Sequence, residues 1–213
     1  MNYWCNVSAL CLLLFCSISG AASAGHAANS ATPQSLAELS ARLSETQFLT
    51  SSFRQTRKLR LLPKPLTSRG DMTYVKSLGI CWQLEKPVAA SIFLGENQIV
   101  LKDKATEQRI ENANPVLALF SQLFFAVFSG DFSVLENEFS ITWESNDQGW
   151  IVTLLPIGDL VAKVAHTIVI RGGEQIESVL LLHAGDDSTK LQFSAINVLD
   201  HQMLSLECGD EKY

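Results

Sequence analysis

Few side chains in this sequence are spaced for covalent or metal chemistry. The four histidines, His26, His166, His183 and His201, stand singly. None lies four residues from another or beside a C-x-x-C pair, so no local pattern for a zinc site is present and no metal is expected. Asp186-Asp187 resembles a catalytic carboxylate pair, but it falls at a predicted hairpin tip, where aspartate suits the turn geometry. There is no G-x-S-x-G elbow, and no phosphate-binding glycine loop follows a strand. Neither enzymatic activity nor a cofactor is expected. An esterase acting on acyl chains would need a serine beside His166 or His183 in the fold, with a carboxylate behind it.

The chemistry the residues do favour is apolar. After Asn114-Pro115 come Val116, Leu117, Leu119, Phe120, Leu123, Phe124, Phe125, Val127 and Phe128, and Gly130 closes the run. Proline at the start and glycine past the end punctuate a helix over Pro115–Phe128. It is apolar nearly all round, so no face of it suits water. A bilayer span needs about 20 residues, and this segment is too short. It is either an ordinary helix covering a sheet or a lid over an apolar cavity.

Charge narrows the choice of partners. The net charge of −6 argues against nucleic-acid binding as the main task. Charged residues make up 18% of the chain, against about 25% in a typical soluble domain, and 47% is hydrophobic. That balance leaves apolar side chains to line something besides a core. The cations are unevenly spread: Arg54, Arg57, Lys58, Arg60, Lys64, Arg69 and Lys76 are opposed within their stretch by Asp71 alone. Such a stretch is a sheet edge guarded against aggregation, or a docking surface for an acidic partner or lipid head groups.

The elements that must position these residues follow from periodicity. Leu36, Leu39 and Leu43 recur at helical spacing behind Pro33, which predicts an amphipathic helix over Gln34–Thr46. The period then changes to two. Strands are expected at Phe48–Leu62, Leu66–Lys76, Ile80–Lys86, Ala90–Leu94, Gln98–Leu101 and Thr106–Ile110. After the apolar helix they resume at Phe139–Glu144, Trp150–Leu155, His166–Arg171, Gln175–His183 and Thr189–Ala195, with a less regular tail from Asn197. In the third strand Ile80, Trp82 and Leu84 share one face. No βαβ rhythm and no repeat is present. The order fits a large curved antiparallel sheet with helices on one side, mainly β in an α+β sense.

The N-terminus reads as an export signal. Met1–Ala24 carries no charge, Ala9–Ile18 is an apolar core of about ten residues, and Ala22-Ser23-Ala24 is a small-x-small cleavage pattern. Cleavage before Gly25 leaves a single domain over Gly25–Tyr213, expected to be soluble, periplasmic and monomeric. Cys5, Cys11 and Cys16 leave with the leader. Cys81 and Cys208 remain and can form one bridge in an oxidising compartment if the strands bring them together.

Two stretches resemble a known family. Ser52-Phe53-Arg54-Gln55 is similar to the S-F-x-Q element of the outer-membrane lipoprotein carrier proteins (LolA-like), just after their first helix. Gly70–Pro87, GDMTYVKSLGICWQLEKP, looks like that family's run from a glycine strand through a basic turn to a tryptophan and a closing proline. Phe193-Ser194-Ala195 ends a late strand in a similar manner. The resemblance implies an incomplete antiparallel β-barrel, a strongly curved sheet whose concave face is covered by helices. It implies a carrier that takes a lipoprotein from an inner-membrane transporter and hands it to an outer-membrane receptor, shielding its acyl chains. Phe53, Trp82, Leu84, Phe120, Phe124, Phe125 and Phe128 are then the expected lining and lid. The family's lid-closing arginine corresponds to Lys76, followed here by Ser77 in place of proline. Lysine has no planar fork, so closure with fewer bonds, or another cargo such as a glycolipid or polyene lipid, is implied. A periplasmic scaffold with a solidly filled sheet is the competing reading.

Overall fold

Strand alternation begins directly behind a short helix, and the chain then meanders without a parallel crossover. The computed structural model describes residues 32–95, 98–103, 105–111, 115–162, 165–199, 205–209 and 211–213. The expected leader at Met1–Ala24 lies outside them. Ala31–Tyr213 forms one compact unit. Its first helix, α1 (Leu36–Ser44), is shorter at both ends than the periodicity predicts, with Ser35 taking the N-cap position and Glu45 the C-cap. The Ser35 hydroxyl accepts from Glu38 N at 3.1 Å, and Glu38 Oε2 accepts from Gln34 N at 2.8 Å. Two otherwise orphaned amides are thereby satisfied. Leu39 and Leu43 bury the inner face.

Eleven strands form one antiparallel sheet: β1 (Phe48–Lys58), β2 (Leu66–Val75), β3 (Gly79–Lys86), β4 (Ala90–Leu94), β5 (Gln98–Asp103), β6 (Glu107–Glu111), β7 (Phe139–Asn146), β8 (Gly149–Pro156), β9 (Thr167–Gly172), β10 (Ile176–Leu182) and β11 (Ser188–Leu199). Their spatial order is β6-β5-β4-β3-β2-β1-β11-β10-β9-β8-β7. The chain thus walks out to one edge, crosses, and walks back to pair β11 with β1. The crossing is made by α2 (Pro115–Ser129) and a 3₁₀ turn at Phe132–Leu135. A short helix α3 (Asp159–Ala162), absent from the periodicity reading, lies between β8 and β9.

The sheet is open, and it is bent. Strands sit about 4.8 Å apart, so β3 and β11, with β2 and β1 between them, would be roughly 14 Å apart if flat. Yet the rings of Trp82 on β3 and Phe193 on β11 have centroids 5.9 Å apart. Register shifts at Thr50/Ser52, Arg69/Gly70 and Ile176/Ser178 add local bend and twist. At Gly70 a Cβ would lie 1.8 Å from the Gln83 carbonyl oxygen, so only glycine lets β2 approach β3 there.

Both faces of the β1–β5 region are covered. Inward residues such as Leu49, Tyr74, Ile80 and Trp82 join the main core with α1 and α2. Their outward neighbours Phe48, Val75, Cys81, Phe93 and Val100 form a second cluster with Leu206 and Cys208. That cluster lies under the hairpin of β12 (Glu207–Cys208) and β13 (Glu211–Lys212). Cys81 and Cys208 are disulfide-bonded with Cα atoms 5.5 Å apart, and Tyr213 stacks on Phe93 at 3.5 Å between ring centroids.

Candidate functional site

The apolar helix and the concave face meet through aromatic rings. From α2, Phe124 and Phe128 are four residues apart and therefore project from one side. Trp82 is edge-on to Phe53 at 5.0 Å and to Phe124 at 5.5 Å. Phe128 stacks with Tyr74 at 5.8 Å and meets Phe193 edge-on at 5.7 Å. All six side chains are buried. Each such pair contributes about 0.5–1.5 kcal/mol beyond its buried area. The strands supply this set by alternation: Phe53 from β1, Tyr74 from β2, Trp82 from β3 and Phe193 from β11.

Of the expected lining residues, Phe53, Trp82, Phe124 and Phe128 come together. Leu84 is half-buried against the same core, two residues along β3 from Trp82. Phe125 also packs partly on the core but lines a separate open cleft of about 670 Å³ with Lys76, Ser121, Gln122 and Asp131. The Phe120 side chain lies outside the described residues. Phe193 and Tyr74 were not among the expected lining. Their signal was present in the alternation Leu191, Phe193 and Met72, Tyr74, but no local pattern tells which buried strand residue faces a helix from another part of the chain.

Lys76 sits in the β2–β3 turn and its Nζ donates to the Ser44 carbonyl at 2.6 Å. The contact is to the C-terminal end of α1, where a cation also meets the negative end of the helix dipole. The link to α2 is one step further on. Ser40 of α1 donates its hydroxyl to the Gly130 carbonyl just past α2. Gly130 has φ +73°, and a Cβ there would lie 2.6 Å from Ser40 O. Lys76, α1 and the end of α2 therefore form a relay.

Polar groups inside the site are few. The Tyr74 and Ser51 hydroxyls, both from the concave side of the sheet, are buried without a hydrogen-bond partner, as is Ser121 of α2. Burial of the Tyr74 phenol pushes its pKa up to about 12. The two histidines among the described residues lie elsewhere: His183 Nε2 is 3.1 Å from Thr189 Oγ1, and His166 Nδ1 is 3.5 Å from Thr167 Oγ1. Asp187 caps a turn, its Oδ1 accepting from Arg60 N at 2.6 Å. Among the described residues no group of three His, Cys, Asp or Glu side chains could hold a metal ion, and no helix is long and apolar enough to cross a membrane.

A search of curated proteins gave no match. Among solved structures, a LolA superfamily protein from Nitrosomonas europaea aligns at 8% identity and TM-score 0.42, covering 79% of this chain and 96% of that one. The lipoprotein LppX of Mycobacterium tuberculosis aligns at 16% identity and TM-score 0.37, covering 76% of this chain and 97% of that one. The profile of the family described as outer membrane lipoprotein carrier protein, LolA-like, matches residues 27–184, from before α1 to the turn after β10. By that match over most of its length, the chain belongs to the outer membrane lipoprotein carrier protein LolA-like family.

Proposed function

We infer that this protein is an exported carrier that shields acyl chains of a lipoprotein, or of a related lipid, between the inner and outer membranes. In this reading Met1–Ala24 is removed on export and Gly25–Tyr213 works in the periplasm. An inner-membrane transporter acts as donor and an outer-membrane receptor as acceptor. The carrying observation is the insertion of Phe124 and Phe128 of an otherwise apolar helix into the bend of an open sheet, against Trp82, Tyr74 and Phe193. The helix plugs the place an acyl chain would take.

The energetics favour exchange over permanent capture. Burying hydrocarbon is worth about 0.8 kcal/mol per methylene, so a bare apolar cavity would hold a long chain too tightly to release it. A plug of the protein's own rings competes with the cargo, and net affinity becomes the difference between two apolar packings. Displacing α2 admits the chain; its return helps expel it.

The test uses Trp82 as reporter. In a Trp143→Phe, Trp150→Phe background it is the remaining tryptophan of the exported chain. A fatty acyl chain brominated along its length should quench its emission, and organic extraction of freshly purified protein should release bound lipid detectable by mass spectrometry. Absence of both quenching and co-purifying lipid would exclude carriage. One observation favours that competing reading, a non-carrying scaffold: the bend is occupied by six buried rings. The same experiment separates the two.

A further inference from the structure

The cationic stretch noted in the sequence forms part of a shaped end of the sheet. The loop joining β1 to β2, residues 59–65, projects Leu61 with 88% of its surface exposed and Leu62 with 43%. The loop is fixed in place: Leu62 N donates to Leu59 O at 2.9 Å, and Arg60 N is tied to Asp187. Arg57, Lys58, Arg60 and Lys64 surround the leucines, and all four are exposed. The next hairpin at this end, between β3 and β4, repeats the arrangement with Lys86 and Val88, the latter 66% exposed. Behind both tips Arg54, Arg69 and Lys86 lie in direct cross-strand register on β1, β2 and β3. Like charges placed opposite one another weaken a sheet, so this row gains most when an anionic surface faces it. The acids at this end include Asp71 and Glu85 beside the row, Asp186 and Asp187 in the β10–β11 turn, and Asp103 opposite Ala90 at the β3–β4 hairpin.

We propose that this end is a membrane-docking tip, with Leu61 and Leu62 entering the interface of an anionic bilayer while Arg57, Lys58, Arg60 and Lys64 meet its phosphates. A protein partner fits the geometry less well. A stable protein interface needs about 800 Å² from each side, whereas two leucines on a convex loop offer a point. A bilayer accepts a point, and cations set one to four residues behind it reach head-group level by extending their stems. The net charge of −6 adds direction, since the rest of the molecule is repelled by the same surface and the tip is presented first. Docking of this kind does not need the site beneath α2, and its variants leave that site untouched.

The experiment is co-sedimentation of the exported chain with phosphatidylglycerol-rich vesicles and with pure phosphatidylcholine vesicles, at low and high salt. Binding to the anionic vesicles is expected, weakened by salt. Each cation near such a surface adds about fivefold to binding, so Lys58→Gln with Lys64→Gln should lose roughly 25-fold at low salt. Leu61→Ser should lose about tenfold, through the leucine's transfer energy, with much less dependence on salt. Circular dichroism and acyl-probe binding should match the parent in all variants. No sedimentation of the parent protein, or equal sedimentation of parent and variants, would overturn the proposal. Binding to an acidic polypeptide without binding to vesicles would assign the tip to a protein partner instead.

Discussion

Tyr74 carries one of the buried hydroxyls that the packed interior leaves unsatisfied. Its ring packs fully against Phe128 while its hydroxyl finds no partner. Removing such a hydroxyl relieves a desolvation cost, so Tyr74→Phe should raise stability at neutral pH by about 1 kcal/mol, measured by denaturant unfolding. The same phenol sets an alkaline limit. Its pKa is pushed up to about 12 from an ordinary 10.0. Below pH 10 both folded and unfolded chains keep the proton. Between pH 10 and 12 the unfolded chain alone releases it, so stability falls as pH rises, by up to about 2–3 kcal/mol. The phenylalanine variant should lack that component of the alkaline loss; an unchanged profile would place the titrating group elsewhere. Lys76 belongs to this scale as well. Its bond reaches α1, so Lys76→Leu should speed exchange of a bound acyl probe several-fold by loosening the α1 end of the relay to Gly130. An unchanged exchange rate in stopped flow would leave it a surface lysine.

At the scale of elements, α2 presents two different sides. Phe124 is packed against Trp82, whereas Phe125, one residue and about 100° further round, faces the open cleft. Neighbours in sequence should therefore behave differently. Phe124→Asp forces a carboxylate into the ring cluster or drives the helix off the sheet, and acyl-probe uptake should fall at least tenfold while far-UV circular dichroism keeps its β signature. Phe125→Asp meets solvent and should cost uptake less than threefold. Equal effects in probe titrations would mean that the helix presents a different side to its cargo. The sequence makes the helix itself evident, with Pro115 and Gly130 at its limits and an unbroken apolar composition. Which of its phenylalanines are plug and which are rim is a property of the surface it meets.

For the whole molecule, alternation and turn residues along the chain locate the eleven strands of the main sheet, most within two residues at each end, but not the short β12–β13 hairpin, which falls in the tail read as irregular. The exceptions have physical causes. Ser35 capping shortens α1, β1 stops at Lys58 because the next residues turn into the leucine-bearing loop, and β11 runs on to Leu199 past an irregularity where Ala195 adopts φ +50°. The family resemblance in Ser52–Gln55 and Gly70–Pro87 was legible too, and Gly70 now has its reason in the Gln83 carbonyl pressed against it.

The sequence by itself determined an antiparallel meander, an apolar helix too short for a bilayer, a local concentration of cations and two cysteines able to pair. Tertiary structure alone decided that β11 closes onto β1, that the bend brings Trp82 within reach of Phe193, that Tyr74 joins the site, and that Lys76 acts on α1. The reason is one of range. Periodicity and punctuation are set by a residue's immediate neighbours along the backbone, whereas contacts across a curved sheet join segments far apart in the chain and exist only once β11 has paired with β1 and the sheet has bent over α2.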